Sequence, residues 1–176
     1  MKKSILIYGL IAGFIVSALM AVNVAMCMKS GNYDSSMVVG YAAMLIALSL
    51  IYVGVKNYRD KYNNGVISFG KAFKIGFLIA LLASTVYVLV WLVEEHFFYP
   101  DFMEKYTAHE ITTLQSAGLS APEIADKTKE LEQAAAWYQN PLLKILMTYA
   151  EILPVGIVIA LISALLLKRK NNKTLS

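Results

Sequence analysis

The stretch FKIGFLIALLASTVYVLVWLV, residues 73–93, decides the fold and contains a single charged residue, Lys74. A helix rises about 1.5 Å per residue, so a run of this length crosses a hydrocarbon core roughly 30 Å thick. Inside lipid, a helix satisfies its own backbone hydrogen bonds, whereas an open sheet does not. The stretch therefore predicts a transmembrane helix.

Three further apolar stretches have the same character. Of the 176 residues, 58% are hydrophobic and 16% are charged, which differs from the usual balance of a soluble protein. The first stretch follows Lys2 and Lys3 as in a signal peptide, but it is longer than a secretory hydrophobic region of about 7 to 15 residues. We predict an all-α polytopic membrane protein, one membrane domain over residues 1–176, with spans at about 4–28, 37–55, 73–93 and 142–167.

The basic residues are concentrated on one side of the predicted bundle. Eleven of the 16 Lys and Arg residues lie at the two termini or between the second and third spans. The positive-inside rule places this side in the cytoplasm, so both termini are predicted to be cytoplasmic. Lipid headgroups attract such residues, and we therefore attribute the net charge of +4 to the membrane surface rather than to nucleic-acid binding.

The segment between the third and fourth spans, residues 100–140, is long for a connector and carries signals of two helices. Asp101 is placed to cap the first helix, and Gly118 is placed to end it in a left-handed conformation. Ser120 and Glu123 have the spacing of a capping box at the start of the second helix. We predict an extracytoplasmic helical hairpin with a solvated charged face.

Small residues recur at every fourth position of the first, third and fourth spans. Lipid tails give no hydrophobic drive between helices, so close backbone approach is a main source of attraction between spans. Gly9-x-x-x-Gly13 fits either one compact four-helix bundle or a homodimer, and both interpretations remain open. The candidate helix-packing residues are Gly9, Gly13, Gly76, Ala80, Gly156 and Ala160.

Glu151 is an acid inside the fourth predicted span, and an ionised acid there costs about 2 to 3 kcal/mol even on lenient scales, so it usually has a partner. Pro154 removes a backbone hydrogen bond and favours a kink beside it. Glu151, Pro154 and Asn23 form a candidate buried polar site. Either Glu151 handles ions, protons or a ligand, or it is structural and snorkels or pairs with Lys144 or Asn23. We favour the structural role because an acid in the outer half of a span costs less than one at its centre.

Catalytic, metal and cofactor motifs do not stand out in the sequence. His96 and His109 have acids nearby, but their spacing matches no known metal site. No serine or cysteine has a recognisable base partner for covalent catalysis, and the single cysteine excludes an internal disulfide. We therefore predict no enzyme activity, no catalytic or metal site and no cofactor.

Short motifs are spread over nearly the whole chain: Gly40-Tyr41, Tyr58-Arg59-Asp60-Lys61, Asn64-Gly65, Ser68-Phe69-Gly70-Lys71-Ala72-Phe73, Trp91, Asn140-Pro141 and Glu151-Ile-Leu-Pro154-Val-Gly156. Together they resemble the bacterial domain-of-unknown-function family 4199. The resemblance implies a small four-helix protein of the bacterial inner membrane, and it implies no activity or site residues.

The expected function is a non-enzymatic packing or interaction component of the bacterial inner membrane. Its expected partners are the lipid bilayer and either a second copy of the chain or another membrane protein, with no nucleic acid. The alternative is a small transporter or channel component in which Glu151 handles charge.

Overall fold

The computed structural model describes residues 1–169, except for the side chains of residues 34–36, and it is helical along nearly all of that range. The helices are α1 (Lys2–Ser30), α2 (Tyr33–Leu48), α3 (Leu50–Tyr62), α4 (Phe69–Phe97), α5 (Phe102–Ser116), α6 (Ala121–Tyr138) and α7 (Pro141–Leu167). Four segments are long and apolar enough to cross a membrane: Lys2–Ser30, Met37–Tyr62, Phe69–Phe97 and Pro141–Leu167. The predicted all-α membrane protein with four spans is confirmed.

The second span consists of two helices, α2 and α3, which meet at Ser49. The Ser49 hydroxyl donates to the Ile46 carbonyl at 2.6 Å, while the Ser49 N–H still reaches the Leu45 carbonyl at 3.1 Å. A serine that bonds back to the preceding turn tends to bend a helix. The helix also continues to Tyr62, past the predicted end at residue 55, because hydropathy marks only the part in lipid and backbone hydrogen bonding continues beyond it.

Helix α4 lies at the centre of the bundle and packs against α1, α3 and α7. The Gly9 and Gly13 row of α1 faces α4 of the same chain. A Cβ atom added to Gly9 would lie 2.8 Å from the Leu82 side chain, and one added to Gly13 would lie 2.7 Å from Val86. The row is therefore occupied within the chain, and a homodimer would have to use another surface.

Small residues also set the distance between α4 and α7. A Cβ atom added to Gly76 would lie 3.0 Å from the Ala160 side chain, and one added to Gly156 would lie 2.8 Å from that of Ala80. These four residues therefore bring the two backbones together, each glycine of one helix facing an alanine of the other. We call this contact the α4–α7 seam.

Helices α5 and α6 form a hairpin between the third and fourth spans. Gly118 in the turn has φ 68, and the Glu123 carboxylate accepts a hydrogen bond from the Ser120 N–H at 3.0 Å, as the sequence indicates. Asp101 is the N-cap residue of α5, as the sequence indicates, but its side chain makes no capping hydrogen bond. Its carboxylate instead contacts the Lys105 ammonium at 2.6 Å, because a cation one turn ahead is a stronger partner than a backbone N–H.

At the end of the bundle opposite the hairpin, which we call the termini end, the connector between α3 and α4 pairs with the end of α7. Ile67 and Arg169 form an antiparallel bridge, with N–H to carbonyl distances of 3.1 and 2.9 Å. Lys170 and Lys173, which contribute to the predicted basic side, lie outside the described residues.

Candidate functional site

A cavity of about 300 Å³ lies among the spans on the side of the hairpin. Helices α1, α2, α4 and α7 form its walls, and residues of α5 and α6 complete it. Small-molecule sites occupy about 300 to 1,000 Å³ and are lined mainly by apolar and aromatic side chains with a few polar groups. The cavity lies at the lower end of that range and has this kind of lining, including Val16, Met20, Asn23, Tyr87, Trp91 and Glu151.

Glu151 contributes a carboxylate to this cavity. It follows Pro141, the first residue of α7, by ten positions, which is about 15 Å along the helix. The Tyr87 hydroxyl of α4 donates to Glu151 Oε1 at 3.5 Å, a long hydrogen bond. The Glu151 side chain lies among the spans and retains accessible surface.

The predicted pairing of Glu151 with Lys144 is wrong. The Lys144 ammonium contacts Glu95 Oε1 at 2.7 Å, and both side chains are largely shielded from solvent. Lys144 lies about two turns before Glu151, roughly 10 Å along α7, whereas Glu95 at the end of α4 reaches it across the interface. Among the described residues, Glu151 therefore forms no ion pair.

The structure brings together two of the three residues of the predicted polar site. Asn23 of α1 and Glu151 of α7 line the same cavity, and a Cβ atom added to Gly40 of α2 would lie 3.5 Å from the Asn23 Nδ2 atom. Pro154 is exposed on α7 and does not line the cavity. Pro154 lies three residues, about 4.5 Å along α7, farther from the hairpin than Glu151, and this places it beyond the cavity lining.

The aromatic part of the lining was not predicted from the sequence as a site. Tyr87 and Trp91 follow each other by four residues on α4, so they share one face, and this spacing was the available signal. The Trp91 ring meets the Phe102 ring edge to face at 5.1 Å, and its indole Nε1–H donates to the Tyr138 hydroxyl. Phe102 and Tyr138 belong to the hairpin, so only the tertiary structure reveals that they join α4 at one wall.

Tyr138 links the hairpin to the spans. Its ring lies 5.0 Å from the Lys144 ammonium, and its hydroxyl accepts the Trp91 hydrogen bond. Burial raises the pKa of Tyr138 to about 12, so its hydroxyl is a neutral group at physiological pH. The phenol therefore lines the cavity as a polar, uncharged group.

The ionisable charge of the cavity lining is acidic. Among its described residues, Glu151 alone carries a formal charge, and the remaining polar groups are the Asn23 amide, tyrosine hydroxyls and the Trp91 indole. Methionines supply much of the rest of the surface: Met20, Met37, Met44 and Met103. The site thus offers one acidic group in an apolar and aromatic surrounding.

The histidines contact aromatic rings rather than each other. The His109 ring lies 5.0 Å from that of Tyr33, and the His96 ring lies 4.7 Å from that of Phe97. Within the part of the chain that the structure describes, no group of three His, Cys, Asp or Glu residues is placed to hold a metal ion. Cys27 is buried in α1.

Comparison with curated proteins and with solved structures gives no match. The family model described as "Protein of unknown function (DUF4199)" matches residues 7–169. This range includes nearly all of the first span, the other three spans, the hairpin and every residue named in the cavity lining. The predicted resemblance is therefore confirmed, and the chain belongs to the DUF4199 family.

Proposed function

We propose that the protein is a non-enzymatic interaction component of the bacterial inner membrane that binds a small molecule in the cavity between the spans and the hairpin. The observation that carries this proposal is the accessible Glu151 carboxylate in a cavity of about 300 Å³ with an apolar and aromatic lining. Such a volume is large enough for a small ligand and lies at the lower end of the usual range for small-molecule sites.

The polar groups of the lining are suited to holding a ligand. A carboxylate, an amide and tyrosine hydroxyls fix the orientation of a molecule whose apolar part is held by the surrounding rings. Glu151 and Tyr87 come from different spans and the hairpin supplies Phe102, so a bound molecule would contact spans and hairpin together.

The proposed orientation has the hairpin and the cavity on the outer side of the membrane. At the termini end, Lys56, Arg59, Lys71 and Arg169 are described basic residues, and the positive-inside rule assigns such flanks to the cytoplasm. A reporter fused after Lys61 should then read as cytoplasmic and one inserted near Gly118 as external. An external signal after Lys61 would contradict this orientation.

Around the spans, the lipid bilayer is the proposed partner. Large apolar side chains are exposed along the bundle, such as Phe14, Met26 and Val38, with 62%, 66% and 72% of their surface accessible. A second copy of the chain or another membrane protein is a further proposed partner on this surface. Native mass spectrometry in mild detergent tests it, and a strictly monomeric protein without a recovered partner would count against it.

The test of ligand binding uses two molecules of nearly the same shape, 2,2-dimethylpropylbenzene and the cationic benzyltrimethylammonium. The chain has two tryptophans, and the Trp137→Phe background leaves Trp91 in the cavity wall as the only indole. Its fluorescence then reports binding in nanodiscs. Gly40→Leu fills the cavity from α2, while Gly70→Leu is the matched control because a Cβ atom there meets nothing within 4 Å.

We expect at least one of the two probes to change the Trp91 emission saturably. Gly40→Leu should abolish this change because leucine occupies the ligand volume, and Gly70→Leu should retain it. An equal response in the Gly40→Leu variant would show that the probe partitions into lipid rather than the cavity. That result, or no saturable response to either probe, would contradict the proposed binding function.

The second candidate function is a small transporter or channel component, favoured by the accessible position of Glu151 among the spans. If Glu151 carries protons or cations, Glu151→Gln should abolish flux without unfolding the protein, since an amide does not ionise. Purified protein in liposomes with a pH-sensitive dye measures this. Equal flux in wild type and variant, or none in either, would count against transport through Glu151.

A further inference from the structure

We infer that the ligand of this cavity is a small organic cation, an ammonium group on an apolar body, with the Glu151 carboxylate as its counter-ion. This inference rests on the proposed binding function and names the ligand class. It follows from three features of the described lining: its single formal charge, its aromatic rings and its apolar volume.

The charge of Glu151 is not balanced by the protein. It accepts a long hydrogen bond from the Tyr87 hydroxyl at 3.5 Å, and the lysine on its own helix, Lys144, is held by Glu95 at 2.7 Å. A carboxylate in apolar surroundings without a counter-ion is costly, and a cation beside it offsets part of that cost. A ligand with an ammonium group supplies the missing partner, whereas an anion would be repelled.

The aromatic residues around Glu151 favour the same charge. Tyr87, Trp91 and Tyr138 line the cavity together with Tyr41 and Phe102. Aromatic ring faces attract cations within about 6 Å, tryptophan most strongly, and sets of such rings recognise quaternary ammonium groups. A cationic group inside the cavity would therefore be attracted by these rings as well as by the carboxylate.

The rest of the cavity indicates an organic molecule rather than an inorganic ion. A hard cation such as Mg²⁺ or Ca²⁺ requires about six or more oxygen ligands, and the described lining offers one carboxylate among mainly apolar groups. The wall also contains Met20, Met37, Met44 and Met103, whose unbranched side chains adapt to apolar shapes. This wall suits the hydrocarbon part of an amphipathic cation.

The experiment compares three probes in the Trp137→Phe background: benzyltrimethylammonium, its uncharged counterpart 2,2-dimethylpropylbenzene, and the anion phenylmethanesulfonate. Trp91 emission gives each affinity in nanodiscs. We expect the cation to bind roughly ten- to hundredfold more tightly than the neutral molecule, because Coulomb attraction to the carboxylate and cation–π contacts to the rings contribute, and we expect the anion not to bind. This comparison needs no substitution at Glu151 and decides the inference even if such variants fold poorly.

Two variants then assign the preference to Glu151. Glu151→Gln should remove the preference for the cation while the neutral molecule still binds, which also shows that the cavity is intact. Glu151→Asp keeps the charge and should retain most of the preference. Loss of the neutral probe together with the cation in Glu151→Gln would mean a collapsed cavity, and the wild-type comparison of the three probes would then decide.

The outcomes separate this inference from the proposed function. Equal affinities for the cation and the neutral molecule, both lost in Gly40→Leu, would overturn the cation assignment and leave small-molecule binding standing. A cation preference that persists in Glu151→Gln would overturn the role of the carboxylate. No binding of any probe would contradict both.

Discussion

The α4–α7 seam and the cavity are two regions of the same bundle with opposite packing. In the seam, a Cβ atom on Gly76 or Gly156 would lie 3.0 or 2.8 Å from an alanine side chain, closer than ordinary contact, whereas one on Gly40 at the cavity would have an ordinary contact distance of 3.5 Å. Along α4, small residues give way to Tyr87 and Trp91 at the hairpin side. Helices approach closely only where small residues face each other, and bulky rings hold them apart. The small residues of α4 therefore allow tight packing against α7, and its aromatic residues leave space for the cavity.

The largest expected effect is that of leucine in the seam. Gly156→Leu places a side chain where a Cβ atom alone would lie 2.8 Å from that of Ala80, so the helices must separate. We expect a loss of at least about 3 kcal/mol in the free energy of unfolding, at the upper end for overpacking. Denaturation by SDS, followed by circular dichroism, measures it.

Gly40→Leu is the matched comparison, because the same side chain enters open volume. The free energy of unfolding of this variant should differ from that of the wild type by less than about 1 kcal/mol, as expected for a substitution that creates no strain or unpaired group. Equal losses in the free energy of unfolding for Gly156→Leu and Gly40→Leu would show that the two regions do not differ in packing.

An intermediate effect is expected for the ion pair that joins α4 and α7 at the hairpin side. Lys144→Met leaves the Glu95 carboxylate without its cation, and the side chains of the pair are only 16% and 13% accessible. Removing one partner of a fully buried pair costs about 3 to 5 kcal/mol, and we expect about 2 kcal/mol here because some water reaches the end of the bundle.

The double variant Lys144→Met/Glu95→Gln is the control for this ion pair. It removes both charges, so it should recover much of the stability that Lys144→Met loses. A double variant as unstable as the sum of the two single variants would contradict a direct interaction between Lys144 and Glu95.

The smallest expected effect is that of replacing glycine by alanine, which should change the free energy of unfolding in opposite directions in the two regions. Gly40→Ala reduces the backbone entropy of the unfolded chain without a clash and should stabilise the protein by about 0.5 to 1 kcal/mol. Gly156→Ala makes the same change in the seam and should destabilise the protein by about 1 kcal/mol, the lower end for overpacking, because a single methyl group is added. Thermal unfolding in detergent compares them, and stabilisation by both alanines would refute the tight approach of α7 to Ala80.

The elements of this fold were predictable because their signals are local. Apolar length marks the spans, Gly118 and Ser120 mark the hairpin turn, and small residues at every fourth position mark where helices approach. The helix of the second span continues past the predicted span end at residue 55 because Lys56 and Arg59 lower the hydropathy without interrupting the helix. The backbone hydrogen bonds of a helix join residues four apart, so a short stretch of sequence is enough to predict it.

The candidate site was only partly predictable for the opposite reason. Glu151 and Asn23 were recognisable as polar residues in apolar spans, but their common cavity depends on the mutual position of helices distant in sequence. The partner of Lys144 was missed because Glu95 is separated from it by the whole hairpin. Pro154 was included because it is close in sequence, although it lies nearly one turn farther along α7, away from the hairpin.

The sequence by itself determined an all-helical membrane protein with four spans, its hairpin and its family, since hydrophobic length, capping residues and motifs act over a few turns of chain. Only the tertiary structure decided that Gly9 and Gly13 pack against α4 and that Lys144 forms an ion pair with Glu95. It also decided that Glu151 faces an aromatic cavity. These contacts join segments far apart in the chain, and their partners are selected by the three-dimensional fit of side chains rather than by any local pattern.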